Sequence, residues 1–280
     1  MLSLLYFLLL ALRLDTRSTL AVEYGRNVIN LNMAKDSAAY IFTQSLDADQ
    51  AAIDYIRKEW ANRGQYLNVW LEANQSLGNC GVPDGLRREH LVAIRAYTQD
   101  SALYLDFNTA TRQFGTNYTI YRDNFYFKAF HYLLSVALDH LKEKSHSTYR
   151  GVDILFNASK GQNVRLGQFP STTMKSKKAK QFMKPNRNNT LFKIKTKLGV
   201  RIRNFSYFPD EEEVLIPPIE VFNVKKVPKW KKNGSKRWLQ INLVSSGRVG
   251  ITVLVKTCNG TFEVNRANGK CPNYCQCFHR

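Results

Sequence analysis

The spacing of apolar residues changes once along this chain, near residue 145, and that change limits the fold more than any other feature. Before it, apolar residues recur at three and four: Ala51–Trp60 reads AAIDYIRKEW and Leu86–Ala96 reads LRREHLVAIRA, with Asp84-Gly85 as a helix-start signal. Phe125–Leu141, FYFKAFHYLLSVALDHL, predicts the strongest helix. Its aromatics are core candidates and His131 reads as a packed histidine. After residue 145 come short β-branched or aromatic runs punctuated by Gly, Asn and Pro: Tyr149–Phe156, Asn163–Phe169, Leu191–Lys197, Val200–Phe208, Val214–Ile216, Val221–Val227, Trp238–Val244 and Gly250–Thr257. The class is therefore α+β, with an N-terminal helical region packed on a mostly antiparallel β-sandwich. The 280 residues suffice for a sizeable core without disulfides. No repeat, Gly-rich phosphate loop, HExxH or GxSxG is present, and the helical half carries no assigned chemistry.

The ends suggest where the protein works. Residues 1–21 open with an apolar run too short to span a bilayer comfortably and then turn polar, which reads as a secretory signal peptide, with a signal anchor as the alternative. Seven Asn-x-Ser/Thr sequons follow, at Asn74, Asn117, Asn157, Asn188, Asn204, Asn233 and Asn259, and secretion is the economical inference. The C-terminal NRANGKCPNYCQCFHR lacks the hydrophobic tail of a lipid-anchor signal, so a released protein with no stable membrane anchor is expected. The expected organisation is a signal peptide over 1–21, one domain over 22–257 (helical to about 145, β-rich from about 146) and a Cys-rich tail over 258–280. Cys80 stands alone while Cys258, Cys271, Cys275 and Cys277 crowd the tail. Disulfides fit that tail better than zinc, no histidine has convincing ligand spacing, and no metal is expected.

Charge is divided as sharply as spacing. Residues 1–140 carry 13 Lys and Arg against 14 Asp and Glu, whereas residues 141–280 carry 28 against 8. The basic excess, in 174–187, 193–197 and 224–237, suits a polyanion or, equally, a solubilising face.

Against that basic half stands one acidic stretch, Phe205–Glu220, FSYFPDEEEVLIPPIE. It reads as a tight turn entering a short buried strand, whose alternation would put Glu211 and Glu213 on one face and Glu212 on the other. Two such carboxylates can divide the work of base and charge stabiliser; the stretch alone fits a solvated turn better. Partners for the pair stand earlier. Arg150 lies in a predicted strand beside Gly151, which permits close backbone approach, and Ser171, Thr172 and Thr173 close VRLGQFPSTT. Arginine on one strand, hydroxyls on a second and Glu-x-Glu on a third make a cradle for a dinucleotide.

These three segments, YRG, RLGQFPSTT and FSYFPDEEEVLIPPIEVF, resemble the arginine, serine and Glu-x-Glu motifs of the vertebrate-type ecto-mono-ADP-ribosyltransferases. The resemblance extends over most of 25–245, through AIRAYTQDSALYLDFN, FYFKAFHYLL and TLFKIKTKLGVRIRNFSYFP. It implies an ADP-ribosyltransferase-like fold, NAD as substrate and an arginine-bearing protein as acceptor. It implies Glu213 as the catalytic glutamate, Glu211 as the residue that positions the acceptor, Ser171 as the group orienting Glu213, and Arg150 with Gly151 as the NAD-holding pair. Phe182 is a candidate to stack on nicotinamide, or an ordinary loop anchor. An NAD glycohydrolase and a catalytically idle polyanion-binding protein are the alternatives. The chain departs from the family pattern in having Ser145 and Lys197 where a cysteine pair is usual, and in lacking cysteine in LDADQAAID and GRVGITVLV. Two lost staples imply compensation elsewhere.

Overall fold

A computed structural model describes residues 28–31, 37, 39–114, 118–258, 261–266 and 275–277; the signal peptide expected over 1–21 lies outside the described residues. The helices are α1 (Leu46–Glu59), α2 (Gly64–Ser76), α3 (Arg88–Thr98), α4 (Ala102–Gln113), α5 (Tyr118–Asn124), α6 (Lys128–Leu141) and the single turn α7 (Ser176–Ala179). Their ends follow local chemistry. Ser45 Oγ accepts from Ala48 N–H at 3.1 Å and caps α1, and the Glu59 carboxylate accepts from Lys128 and Ala129 N–H and caps α6. The start expected at Asp84-Gly85 falls later, because Gly85 has a left-handed φ of 79° and α3 is closed by His90 Nδ1 accepting from Arg87 N–H at 2.9 Å. Phe125 and Phe127 precede α6 rather than opening it, yet both are buried. His131 is wholly buried with Nδ1 2.9 Å from the Tyr121 hydroxyl, and burial pushes its pKa down to about 3, so the imidazole is neutral.

The strands are β1 (Val28–Asn30), β2 (Tyr40–Phe42), β3 (His146–Val152), β4 (Leu155–Asn157), β5 (Asn163–Val164), β6 (Ser171–Thr173), β7 (Asn188–Thr196), β8 (Val200–Arg201), β9 (Glu213–Leu215), β10 (Glu220–Val224), β11 (Lys229–Asn233), β12 (Lys236–Arg248), β13 (Ile251–Cys258), β14 (Thr261–Arg266) and β15 (Cys275–Cys277). The large sheet has the order β5-β10-β12-β7-β3-β6-β9-β8, with β11 on β12; a smaller one has β14-β13-β15, with β2 on β13. Most pairings are antiparallel as expected, but β7 runs parallel to β12, β2 to β13 and β1 to β4. The fold also passes the boundary expected at 257: β14 pairs along β13 and buries Phe262 and Val264 in the helical core. Cys258 stands opposite Cys275 in the β13–β15 register, and Cys80 is partly exposed and forms no disulfide with another described residue.

Two cores meet at the middle of the large sheet. The helices pack on the small sheet and on Phe169, Val200, Ile202 and Leu215 at the β6–β9–β8 end. On the remainder, Phe192, Ile194, Phe222, Ile241 and Leu243 form a second core with Leu31, Val152 and Ala158. The strand predicted over Val200–Phe208 is cut short because Ile202 O accepts from both Phe205 and Ser206 N–H at 2.9 Å. That turn brings Ser206 back against Glu213.

Candidate active site

The three motifs converge because β6 lies between β3 and β9, with Thr173 paired to Tyr149 on one side and to Glu213 on the other. They line one cleft of about 520 Å³, measured with its open mouth, whose walls include Arg150, Ser171, Phe182, Lys178, Glu211 and Glu213. Tyr104 from α4 also lines it, so the helical half does reach the site.

Glu-x-Glu works through a turn rather than through strand alternation. Pro209–Glu211 is a 3-10 turn, Glu212 takes a left-handed φ of 46°, and the strand starts at Glu213. Both outer carboxylates are buried while Glu212 is partly exposed and pairs with Lys175 at 2.7 Å. A non-glycine residue in that conformation stores strain and persists only when its surroundings hold it. They do so here. Thr173 Oγ1 donates to Glu211 O at 2.9 Å, Lys178 Nζ donates to Asp210 O at 2.7 Å, and Met174 N–H donates to Glu212 O. The third hydroxyl and two lysines of the basic loop thus hold the turn, a task the sequence reading had not given them.

Arg150 anchors on the neighbouring motif, donating from Nη1 to Ser171 O at 2.7 Å. Gly151 serves packing more than ligand approach. A Cβ there would lie 2.0 Å from Ala179 O, so the missing side chain is what lets α7 and the following turn, with Phe182, close over β3. Phe182 lines the cleft from that turn.

Electrostatics separates the two glutamates from ordinary surface acids. Burial pushes the Glu213 carboxyl up to about 7, offset in part by the Ser171 and Ser206 hydroxyls and the charge of Arg150. Burial, and then the neighbouring Glu213, pushes Glu211 up to about 8, with Lys178 opposing. Glu211 Oε2 is buried and finds no hydrogen-bond donor among the described residues. Sequence reasoning missed Ser206, Tyr104, and the pair Tyr97 and Asn108. Asn108 Oδ1 accepts from Phe169 N–H at 3.2 Å, the Tyr97 hydroxyl donates to Phe169 O, and Asn108 Nδ2 donates to Tyr97 Oη at 2.9 Å. These buried groups hold both backbone polar atoms two residues before Ser171. Their only signal in sequence was polarity at core helix positions. Among the described residues no three His, Cys, Asp or Glu side chains converge as a metal site, and no helix is long and apolar enough to cross a membrane.

A model of the NAD:arginine ADP-ribosyltransferase family matches residues 39–248, and the chain belongs to that family. It is 38% identical over 199 residues to the NAD(P)(+)--arginine ADP-ribosyltransferase 2 of Gallus gallus, covering 68% of this chain and 61% of the relative. It is 42% identical over 172 residues to the GPI-linked NAD(P)(+)--arginine ADP-ribosyltransferase 1 of Mus musculus, covering 59% and 50%. The chain thus spans between half and three fifths of the length of these relatives. Among solved structures, the eucaryotic mono-ADP-ribosyltransferase ART2.2 superimposes with a TM-score of 0.65 at 32% identity, covering 79% of this chain and 96% of that one; a mutant of it was solved in complex with NAD.

Proposed function

We propose that this protein is an extracellular mono-ADP-ribosyltransferase that takes NAD as substrate and transfers ADP-ribose to arginine on secreted or cell-surface proteins. The observation that carries the acceptor assignment is the unpartnered Glu211 Oε2, buried in the cleft beside a second carboxylate. A buried carboxylate oxygen with no donor is costly, and a guanidinium offers two parallel donors and a positive charge in the matching plane. Arg150 supplies a fixed cation for the pyrophosphate and Ser171 lies against Glu213, so the residues present fit NAD. Glu213 faces the developing positive charge as the bond between ribose C1′ and nicotinamide breaks, and Ser206 reinforces its placement. An acceptor guanidine nitrogen then forms the new bond to C1′ and gives up one proton, with nicotinamide as leaving group. The signal peptide reading and the sequons support export from the cell, and the basic second half is read as a handle on extracellular polyanions.

The test incubates the secreted protein with labelled NAD, with and without agmatine, beside Glu213→Ala. Label on the guanidine, lost in the variant, is the expected result. Free ADP-ribose alone would make the protein an NAD glycohydrolase. Equal silence of both proteins when folded and saturated with NAD would leave the idle polyanion-binding alternative.

A further inference from the structure

We infer that the exposed lysines Lys193, Lys195, Lys229 and Lys231, on the face of the large sheet where the α7 segment covers Leu191 and Trp238, form a docking surface for a linear sulfated glycan. This rests on the polyanion part of the functional reading and not on catalysis. Along β7, Phe192 and Ile194 turn into the second core, so Lys193 and Lys195 turn outward. Register places Asn242 beside Lys193, Gln240 beside both Leu191 and Lys229, and Trp238 beside Lys231, so these positions share that outward face. All four lysines are exposed, and no salt bridge among the described residues uses them. The adjoining strands β3, β7, β12 and β11 contain no Asp or Glu at all. The face is therefore a field of one sign, with lysines roughly 7 Å apart along β7 and about 12 Å apart on the diagonal from Lys193 to Lys229. Lys180, 4.9 Å over the Trp238 ring, adds a cation where α7 ends the open area.

That array suits several charges in a row better than one anion in a pocket, and its chemistry selects among linear anions. Protein interfaces want buried aromatic or arginine anchors and are depleted in lysine. Here Trp238 is buried, while the exposed Trp230 pairs with Leu239 on the alternate positions and lies 4.1 Å beneath the Arg237 guanidinium. Single-stranded nucleic acid wants an open stacking platform, whereas the aromatics on this face, Tyr149 and Trp238, pack into the cluster under α7. Point charges among amides match sulfates among hydroxyls. The pairing row Glu213, Thr173, Tyr149, Lys193 puts Lys193 three strands, or about 14 Å, from the catalytic glutamate. A docked glycan would therefore hold the cleft close to the protein that carries it.

The experiment measures binding of the full chain to heparin and to de-sulfated heparin over a salt series. One variant combines Lys193→Gln, Lys195→Gln, Lys229→Gln and Lys231→Gln; a control removes the same charge elsewhere, with Arg57→Gln, Lys58→Gln, Lys144→Gln and Lys160→Gln. The expected result is at least a tenfold loss of heparin affinity and a flatter salt dependence for the first variant, with the control within about twofold and agmatine labelling unchanged in both. Should the fourfold variant not fold, the β7 pair and the β11 pair are measured separately, each expected to lose about threefold. Equal loss in variant and control, undiminished binding to de-sulfated heparin, or tighter binding to a single-stranded oligonucleotide or to phosphatidylserine vesicles would overturn the proposal. A protein that holds heparin but transfers nothing would count against the transferase reading alone.

Discussion

The Thr173 hydroxyl donates to the Glu211 carbonyl at 2.9 Å, tying the end of one motif to the strained turn of the next. Thr173 is buried, and its oxygen also accepts from Lys175 N–H at 3.2 Å. Thr173→Val, nearly isosteric, leaves both backbone groups without that partner and should cost about 1–3 kcal/mol of stability. Transfer should fall further than stability accounts for, because Glu212 is then less firmly held in its left-handed conformation. Thr173→Ser should restore both. Thermal unfolding beside agmatine labelling decides; a Val variant with wild-type activity would remove the hydroxyl from the account.

The two raised carboxyls set the pH dependence. In the proposed reaction Glu213 must be ionised to stabilise positive charge, and burial pushes its carboxyl up to about 7 beside Glu211, pushed up to about 8. The kcat/KM for NAD should therefore drop on the acid side with apparent values in that range, and the limb should simplify to a single group in Glu211→Gln. Stability runs the other way. Both groups bind protons more tightly folded than unfolded, so their contribution is fully present below the ordinary glutamate range and is lost as pH rises through 7 to 8. Denaturant titrations of wild type and Glu213→Gln between pH 5 and 9 should show that slope shrinking in the variant.

Glu211→Gln would separate the proposed transfer from NAD hydrolysis. The substitution keeps the shape and removes the charge that would pair with a guanidinium. Agmatine labelling should fall by on the order of a hundredfold, with NAD hydrolysis falling much less. An equal fall in both would show that Glu211 acts on NAD and not on the acceptor.

How much of this could be read beforehand depends on the range of the forces involved. Three of the helices and most strands of the β-rich half followed from local periodicity and composition, and the roles of the motif residues from the family resemblance; α2, α4, α5 and β11 had not been read from the sequence. The turn at Glu212 did not follow, because its φ is imposed by Thr173, Lys175 and Lys178 from another part of the chain. Nor did β14, whose Phe262 and Val264 were taken with a cysteine-rich tail, while β6 had been read only as the end of a longer strand. Asn108 and Tyr97 sit at ordinary helix positions, and only the fold shows that they face Phe169.

That clamp gives a further prediction. Asn108→Leu removes a donor and an acceptor from a buried network without opening a large cavity, leaving Phe169 N–H unpaired. Stability should drop by about 2–3 kcal/mol. If the clamp positions Ser171, kcat should fall several-fold in the variant while KM for NAD changes little, under conditions where the variant is fully folded. Tyr97→Phe, which loses one hydroxyl, should show a smaller effect of the same kind. Loss of stability with unchanged kcat would make both residues structural only.

The cysteine pair that the family resemblance implies at Ser145 and Lys197 can be tested by introducing it. His146 pairs with Thr196 across β3 and β7, so extending that register one step past each strand end would set Ser145 opposite Lys197. In this chain a buried carboxylate holds the place a staple would: Glu220 accepts from the Thr196 hydroxyl and from the N–H groups of Lys197, at 2.7 Å, and Leu198, at 3.2 Å. Glu220→Ala strips three donors of their partner inside a site where Glu220 is 1% exposed, and should cost about 3–5 kcal/mol. Combining Ser145→Cys with Lys197→Cys and oxidising should stabilise the wild-type chain by about 2–4 kcal/mol, since the loop closed is long and opposite residues of an antiparallel pair lie within disulfide reach. In the Glu220→Ala background the same cross-link should recover only part of the loss, because it ties the strand ends but supplies no acceptor for the two N–H groups beyond them. Full recovery would show that Glu220 acts merely as a tether; no stabilisation in either background would mean that the two strand ends diverge past residues 146 and 196.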